Sequence, residues 1–321
     1  MALSDIFTDP DKARQHLEAQ VWPNGPICPH CGNADPDRIT KLEGKAHRPG
    51  LYSCKECRSQ FSVTVGTVFE RSKVPLNTWL YATYLLNSSK KGISAHQLHR
   101  MIGVTYKTAW FMMHRIREAM AVPPGSVPPI GGAGKVIEAD ETYYGKVADP
   151  KPSPQRKGKP YLKRKGAGPA GKRPVVALVE RGGRVHSFHV ANANVEYVRE
   201  VIVTHASRES TLYTDESRLY TKMGKEFAGH DTVKHSANEY VRGDVHTNTI
   251  ENVFSVFKRG MHGTYQHCAE KHLHRYLAEF DHRYNTRAAL GFTDAMRADM
   301  NLAAIVGKRL TYRRTKEQSY A

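Results

Sequence analysis

The sequence predicts an α/β chain whose centre is a mixed-sheet domain with helices, preceded by two smaller modules. Three observations lead to this reading. Two Cys-x-x-Cys pairs stand near the N-terminus, two short helices with capping residues follow, and beyond residue 134 strand-like and helix-like patterns alternate. In that last region an acidic residue falls on each of three separate elements, at Asp140, Asp215 and Glu251.

Length and charge set the frame. At about 150 residues per domain, 321 residues predict two or three domains, enough for at least one sizeable core. Lys and Arg number 48 against 31 acids, a net charge of +17, and they cluster rather than spread, which points to a polyanionic partner, nucleic acid first. No run of 18 apolar residues occurs, and Met-Ala-Leu-Ser-Asp-Ile-Phe lacks a basic segment followed by an apolar one. A soluble, intracellular protein without a membrane partner is therefore expected. Four of the five cysteines lie in two close pairs, the pattern of a metal site rather than a disulfide framework.

The first module, residues 1–70, begins with a helix from about Asp9 to Gln20, where Asp9 is placed to cap and Pro10 to open the first turn. Cys28-Pro-His-Cys31 and Cys54-Lys-Glu-Cys57 follow, separated by 22 residues against the usual ribbon spacing of about 15–20. Four thiolates in two such knuckles predict a closed, structural Zn²⁺ site. The alternating segments Leu51-Tyr52-Ser53 and Gln60-Phe61-Ser62-Val63 would form the ribbon's strands.

Residues 71–121 read as a helix-turn-helix. A helix spans Asn77 to Asn87, Ser94 caps a second, Gly103 supplies the turn, and Thr105 caps a third that reaches about Met120. In such a unit the start of the last helix faces base edges, which nominates Thr105, Tyr106, Lys107 and Thr108, with Arg115 and Arg117 nearer phosphates. Ala109, Met112, Met113 and Ile116 are read as core. An ordinary helical hairpin shares this pattern.

Residues 122–134, rich in Pro and Gly, read as a linker. The domain expected over 135–300 opens with a strand, Lys135 to Tyr144, that carries Asp140. Between Lys146 and Arg173 the chain is dense in Lys, Arg, Pro and Gly, and is expected to be a mobile basic loop between two strands, suited to a DNA backbone. A hairpin turns at Gly182-Gly183, a helix runs from Asn194 to Ala206, and a short strand ends on Asp215. In His246 to Lys258 the apolar residues Ile250, Val253, Phe254 and Phe257 share one helical face, while Glu251, Ser255 and Lys258 share another. A basic tail, 301–321, closes the chain.

Each acid also has an ordinary reading. Asn248 and Glu251 have capping-box spacing, Asp215 could cap a following helix, and Glu138 or Glu141 could be the important acid of the first strand. The joint pattern favours a catalytic set. Ala139-Asp140-Glu141-Thr142, Thr214-Asp215, and His246-Thr-Asn-Thr-Ile-Glu251 with Lys258-Arg259-Gly260 resemble the DDE transposases of bacterial insertion sequences, specifically the IS1595 family with its ISXO2-like domain. The resemblance covers nearly the whole chain, from the cysteine pairs to the helix after Tyr265.

That resemblance implies an RNase H-like catalytic domain and a transposase that cleaves DNA at the ends of an insertion sequence and joins the freed 3′-hydroxyl to a target. It implies two Mg²⁺ or Mn²⁺ ions held by Asp140, Asp215 and Glu251, with Lys258 on a DNA phosphate and Asn248 and His246 in support. It admits Asn248 as well as Glu251 in the third catalytic place. The implied partners are double-stranded DNA, as terminal inverted repeats and target, and a second copy of the chain, so a homodimer or larger synaptic assembly. The implied location is the bacterial cytoplasm, at the nucleoid when bound. A DNA-binding regulator or nuclease-like protein derived from a transposase is the other function class.

Overall fold

The structure, a computed structural model, describes residues 3–123, 125–147, 171–237, 239 and 241–311. The chain divides into two compact units, Met1–Ala121 with Gly291–Ala321, and Val122–Leu290.

The first unit opens with helices α1 (Leu3–Thr8) and α2 (Pro10–Val21). Asp9 caps α2 as its sequence position predicts, accepting from the Asp11 and Lys12 N–H groups. Strands β1 (Ile39–Leu42), β2 (Leu51–Cys54) and β3 (Gln60–Phe61) form a small antiparallel sheet. Tyr52 and Phe61 stack on one another beneath Trp22. Helices α3 (Leu76–Ser88), α4 (Ala95–Ile102) and α5 (Tyr106–Met120) follow. Ser94 and Thr105 cap α4 and α5 through side-chain bonds to Gln97 and Thr108, and Gly103 ends α4 at φ +69°, the left-handed turn a glycine adopts without strain.

Helix α9 (Asp294–Ala303) packs on α2 and α3 of this unit, whereas the sequence boundary placed residues up to 300 with the catalytic domain. The reason is a set of contacts invisible to local pattern. Arg297 donates to the Asn87 carbonyl at 2.8 Å, and His16 meets Asp299 at 2.8 Å. Of the expected basic tail, residues 312–321 lie outside the described residues.

The second unit is built on five strands: β4 (Val136–Tyr144), β5 (Arg173–Glu180), β6 (Val185–His189), β7 (Thr211–Asp215) and β8 (Gly229–Val233), in spatial order β6-β5-β4-β7-β8. The first three run antiparallel in succession. Strands β7 and β8 lie on the other side of β4, with β7 parallel to β4 and β8 parallel to β7. Three antiparallel strands extended by two parallel ones from the first strand's free side is the RNase H-like arrangement. Helix α6 (Val195–His205) joins β6 to β7. After two short paired strands, β9 (Val241–Arg242) and β10 (Val245–His246), come α7 (Asn248–Gly260) and α8 (Leu273–Asn285).

Alternation along the strands gives the sheet two apolar faces. Ile137, Ala139, Val176 and Leu178 meet Val198 and Ile202 of α6. Val175, Ala177 and Val179 meet Ile250, Val253, Phe254 and Phe257 of α7, with Tyr276, Leu277 and Phe280 of α8. The four apolar residues of α7 are all buried, at roughly 1.5–3 kcal/mol each.

Two expectations need adjusting here. The linker ends before residue 134, because Ile130 is fully buried and pairs with Ala206, with Ile130 N–H donating to the His205 carbonyl at 2.9 Å. The basic stretch does fall between two strands, β4 and β5, but its residues 148–170 lie outside the described residues.

Candidate active site and metal centre

The four cysteines converge where the ribbon's two knuckles face each other. Their sulfurs all lie within 4.8 Å of one another, with Cys28 to Cys57 at 3.6 Å and Cys31 to Cys54 at 3.7 Å. A tetrahedron of sulfurs at about 2.3 Å from zinc has edges of about 3.8 Å, so the cluster fits a structural zinc ion. The Cys57 N–H is the main reason the Cys54 thiol is drawn down to about 6 in spite of burial, towards the thiolate that a metal requires.

In the helix-turn-helix, Tyr106 and Lys107 are exposed at the start of α5, and Thr105 is occupied with the cap. Thr108 is half-buried, its hydroxyl against that of Thr105 at 2.9 Å. Tyr106 stacks on His96 of α4 at 4.3 Å, so the two helices present one aromatic surface; sequence reading had not singled out His96.

Arg115 and Arg117 stand elsewhere than expected. Arg115 is 7% exposed, donates to the Glu70 carbonyl at 2.6 Å and lies over the rings of Trp79 and Phe111. Arg117 is 1% exposed. Their guanidinium groups are spent inside the fold, and the assignment of both to DNA phosphates is corrected accordingly.

The acids gather at the carboxyl ends of β4 and β7. The parallel register pairs Val136 with Thr211, Ile137 with Leu212 and Glu138 with Tyr213. Asp140 and Asp215 each lie two residues beyond the last of these pairs, and the two carboxyls are within electrostatic reach of one another. Burial first, then the negative charges of Glu141, Asp215 and Glu251, push the Asp140 carboxyl up to about 8, although the Glu141 N–H donates to it at 2.8 Å. Glu251 is thus within electrostatic reach of Asp140. It stands exposed on α7, and Lys258, also exposed, lies two turns further along the same face. Among the described residues the acids do not form as tight a group as the cysteines do.

Glu141 points to the opposite face of β4 from Asp140, where the buried Tyr220 hydroxyl donates to it; burial raises its carboxyl as well. Asp215 accepts from the Ser217 N–H at 3.0 Å, so it also performs the turn-capping role that its sequence context allowed.

The capping-box reading holds only in part: Asn248 is not the cap, but the Glu251 carboxylate does turn back to the start of its own helix, accepting from the Thr247 hydroxyl at 3.2 Å. The cap residue is Thr247, without a side-chain cap bond, and Asn248 is the first helical residue, exposed, its N–H directed to His246 Nδ1 at 3.3 Å. The free N–H groups of α7 are taken instead by Glu138, which is fully buried. Its carboxylate accepts from Thr249 N–H at 2.9 Å, Ile250 N–H at 3.0 Å and the Thr249 hydroxyl at 2.9 Å. Arg181 donates to it at 2.7 Å, and also to His246 Nδ1 and the His246 carbonyl, each at 2.9 Å. Sequence reading missed Arg181 altogether. For Glu138 there was a signal, a charged residue sharing a face with Asp140 in an otherwise apolar strand.

Residues 132–285 match the ISXO2-like transposase domain, and residues 8–60 match the transposase zinc-ribbon domain. A protein of the transposable element ISH50 of Halobacterium salinarum is 30% identical over 278 residues, covering 85% of this chain and 90% of that protein. The chain belongs to the IS1595 family of transposases. Among solved structures, the Mos1 strand transfer complex overlaps with a TM-score of 0.29 at 11% identity, covering 70% of this chain and 74% of that one. The Mos1 paired-end complex overlaps with a TM-score of 0.28. Overlap this loose adds no weight to the family match. Among the described residues of this transposase, no helix is long and apolar enough to cross a membrane.

Proposed function

We propose that this transposase cleaves DNA at the ends of its insertion sequence and transfers the freed strand, using Asp140, Asp215 and Glu251 as its catalytic acids. The observation that carries the proposal is the juxtaposition of Asp140 and Asp215 on neighbouring strands, with Glu251 close enough to help raise the Asp140 carboxyl to about 8. A buried carboxyl that resists losing its proton, as Asp140 does, beside other acids marks a site in need of cations, and hard oxygen donors suit Mg²⁺ or Mn²⁺. When bound, such ions activate an attacking water or 3′-hydroxyl and stabilise the leaving oxygen. Asp140 and Asp215 would hold both, and Glu251 would complete the set.

Other residues bind and orient the DNA. Lys258, on the same face of α7 as Glu251, offers its ammonium to a phosphate beside the acids. Asn248, exposed at the first position of α7, is placed for the same backbone. Tyr106 and Lys107 at the start of α5 face a duplex, with His96 extending their surface. A second copy would hold the second end.

The test is cleavage of a duplex made from the sequence flanking the gene, with Mg²⁺ or Mn²⁺. Asp140→Asn and Glu251→Gln are expected to bind the duplex and leave it intact. Cleavage at the wild-type rate by both refutes the assignment. Binding without cleavage by the wild type makes the protein a DNA-binding regulator.

A further inference from the structure

We propose that Glu138 is a positioning residue: by clamping the N-terminus of α7 to strand β4, it sets where Glu251 stands relative to Asp140 and Asp215. This rests on the reading of those three acids as the metal site. Helix α7 has no side-chain cap of its own, and its orphan N–H groups at residues 249 and 250 are satisfied by a carboxylate 111 and 112 positions earlier in the chain. A cap supplied by the helix would order its first turn only. A cap supplied by β4 orders that turn and also fixes it against the sheet.

The chain links are short on both sides of the clamp. Asp140 is two residues from Glu138 on the same strand face, and Glu251 directly follows Ile250, whose N–H the clamp holds. Little freedom is left between the two catalytic acids. Arg181 completes the device. It neutralises the buried Glu138 carboxylate and donates to the Asp244 carbonyl at 2.7 Å and to the His246 carbonyl, so the segment leading into α7 is tied to the same point. A buried ion pair kept for stability alone would not need to meet the helix that carries the third acid.

Metal affinity separates positioning from stability, since removing a group that orients a ligand costs about 10–100-fold in affinity. Mn²⁺ binding to the full-length, zinc-loaded protein is measured by electron paramagnetic resonance for wild type, Asp140→Asn, Glu251→Gln, Glu138→Gln and the double variant Glu138→Gln/Glu251→Gln. Glu138→Gln is expected to weaken Mn²⁺ at least tenfold, and the double variant to bind no more weakly than Glu251→Gln alone. The proposal is overturned if Glu138→Gln binds Mn²⁺ as wild type does while Asp140→Asn does not. It is equally overturned if Glu138→Gln costs the same factor with or without Glu251. Undiminished Mn²⁺ binding by Asp140→Asn overturns the metal-site reading itself and this inference with it. Should circular dichroism show Glu138→Gln unfolded, Thr249→Val, which removes one donor to the clamp and keeps its charge, takes its place in the same cycle. A several-fold loss is then expected, and unchanged Mn²⁺ binding overturns the proposal.

Discussion

Replacing Asp140 by Asn should make the metal-free transposase more stable, by an amount that grows with pH. The carboxyl is raised from 3.8 to about 8 by burial and by Glu141, Asp215 and Glu251. A raised carboxyl keeps its proton in the folded chain where the unfolded chain has lost it. Its contribution to stability is therefore complete below pH 3.8 and is lost as pH rises towards about 8. Each tenfold change in proton affinity is about 1.4 kcal/mol, so the wild type forfeits on the order of 5 kcal/mol by pH 8. Asparagine keeps the shape, can still accept from the Glu141 N–H, and does not ionise. With two units in the chain, global unfolding is a poor readout, and hydrogen exchange of the β4 amides isolates the relevant one. Comparing variant with wild type at equal pH cancels the intrinsic exchange rate. The variant should exchange more slowly, about tenfold at pH 5 and up to the order of 10⁴ at pH 8. Added Mg²⁺ should slow exchange in the wild type and leave the variant unchanged. A ratio that stays flat between pH 5 and 8, or a variant that exchanges faster, would refute the reasoning.

The remaining predictions concern the first unit and one glycine of the second. Arg115→Ala should lower stability by about 2–4 kcal/mol in urea titrations followed by tryptophan fluorescence, because it opens the contact with the Glu70 carbonyl and the Trp79 and Phe111 rings. Lys107→Ala, at an exposed position, should leave that midpoint in place and reduce the salt dependence of duplex binding by about one phosphate contact. Cys54→Ser should bring zinc below one ion per chain by mass spectrometry and abolish the ribbon's protection from proteolysis. Gly131→Ala should cost about 1–3 kcal/mol in the second unit, since its φ is +92° and a Cβ would overlap Ser210 and Ile137; an unchanged melting temperature would contradict it.

Much of this transposase was legible because its signals are local. Cysteine spacing announces the zinc cluster, since a metal site needs two donors within a few residues and a second pair opposite. Ser94, Gly103 and Thr105 mark their own turns, because a cap acts within three residues of itself. The apolar face of α7 follows from its period alone. What escaped was decided by partners distant in sequence. Arg115 and Arg117 stand at helical positions that the charge pattern assigns to solvent or phosphate. Phe111 is a helical neighbour of Arg115, but nothing near it in the chain foretells that the Glu70 carbonyl and the Trp79 ring will complete its enclosure. Helix α9 belongs with the first unit through Asn87 and His16, more than 200 residues away.

Strand β4 shows where the division falls. Period-two alternation places Glu138 and Asp140 on one face with equal authority, and both could have been catalytic on pattern alone. Tertiary structure separates them by what each meets. Glu138, deeper in the sheet, meets the N–H groups of α7 and the Arg181 guanidinium, so its charge is matched and its oxygens are used up. Asp140, two residues nearer the strand's end, meets other carboxylates and a single N–H, and none of the described residues that shift its carboxyl is a cation. An acid whose oxygens are used up by the fold can only position its neighbours; one with oxygens to spare, beside others of its kind, is the one we propose takes a cation.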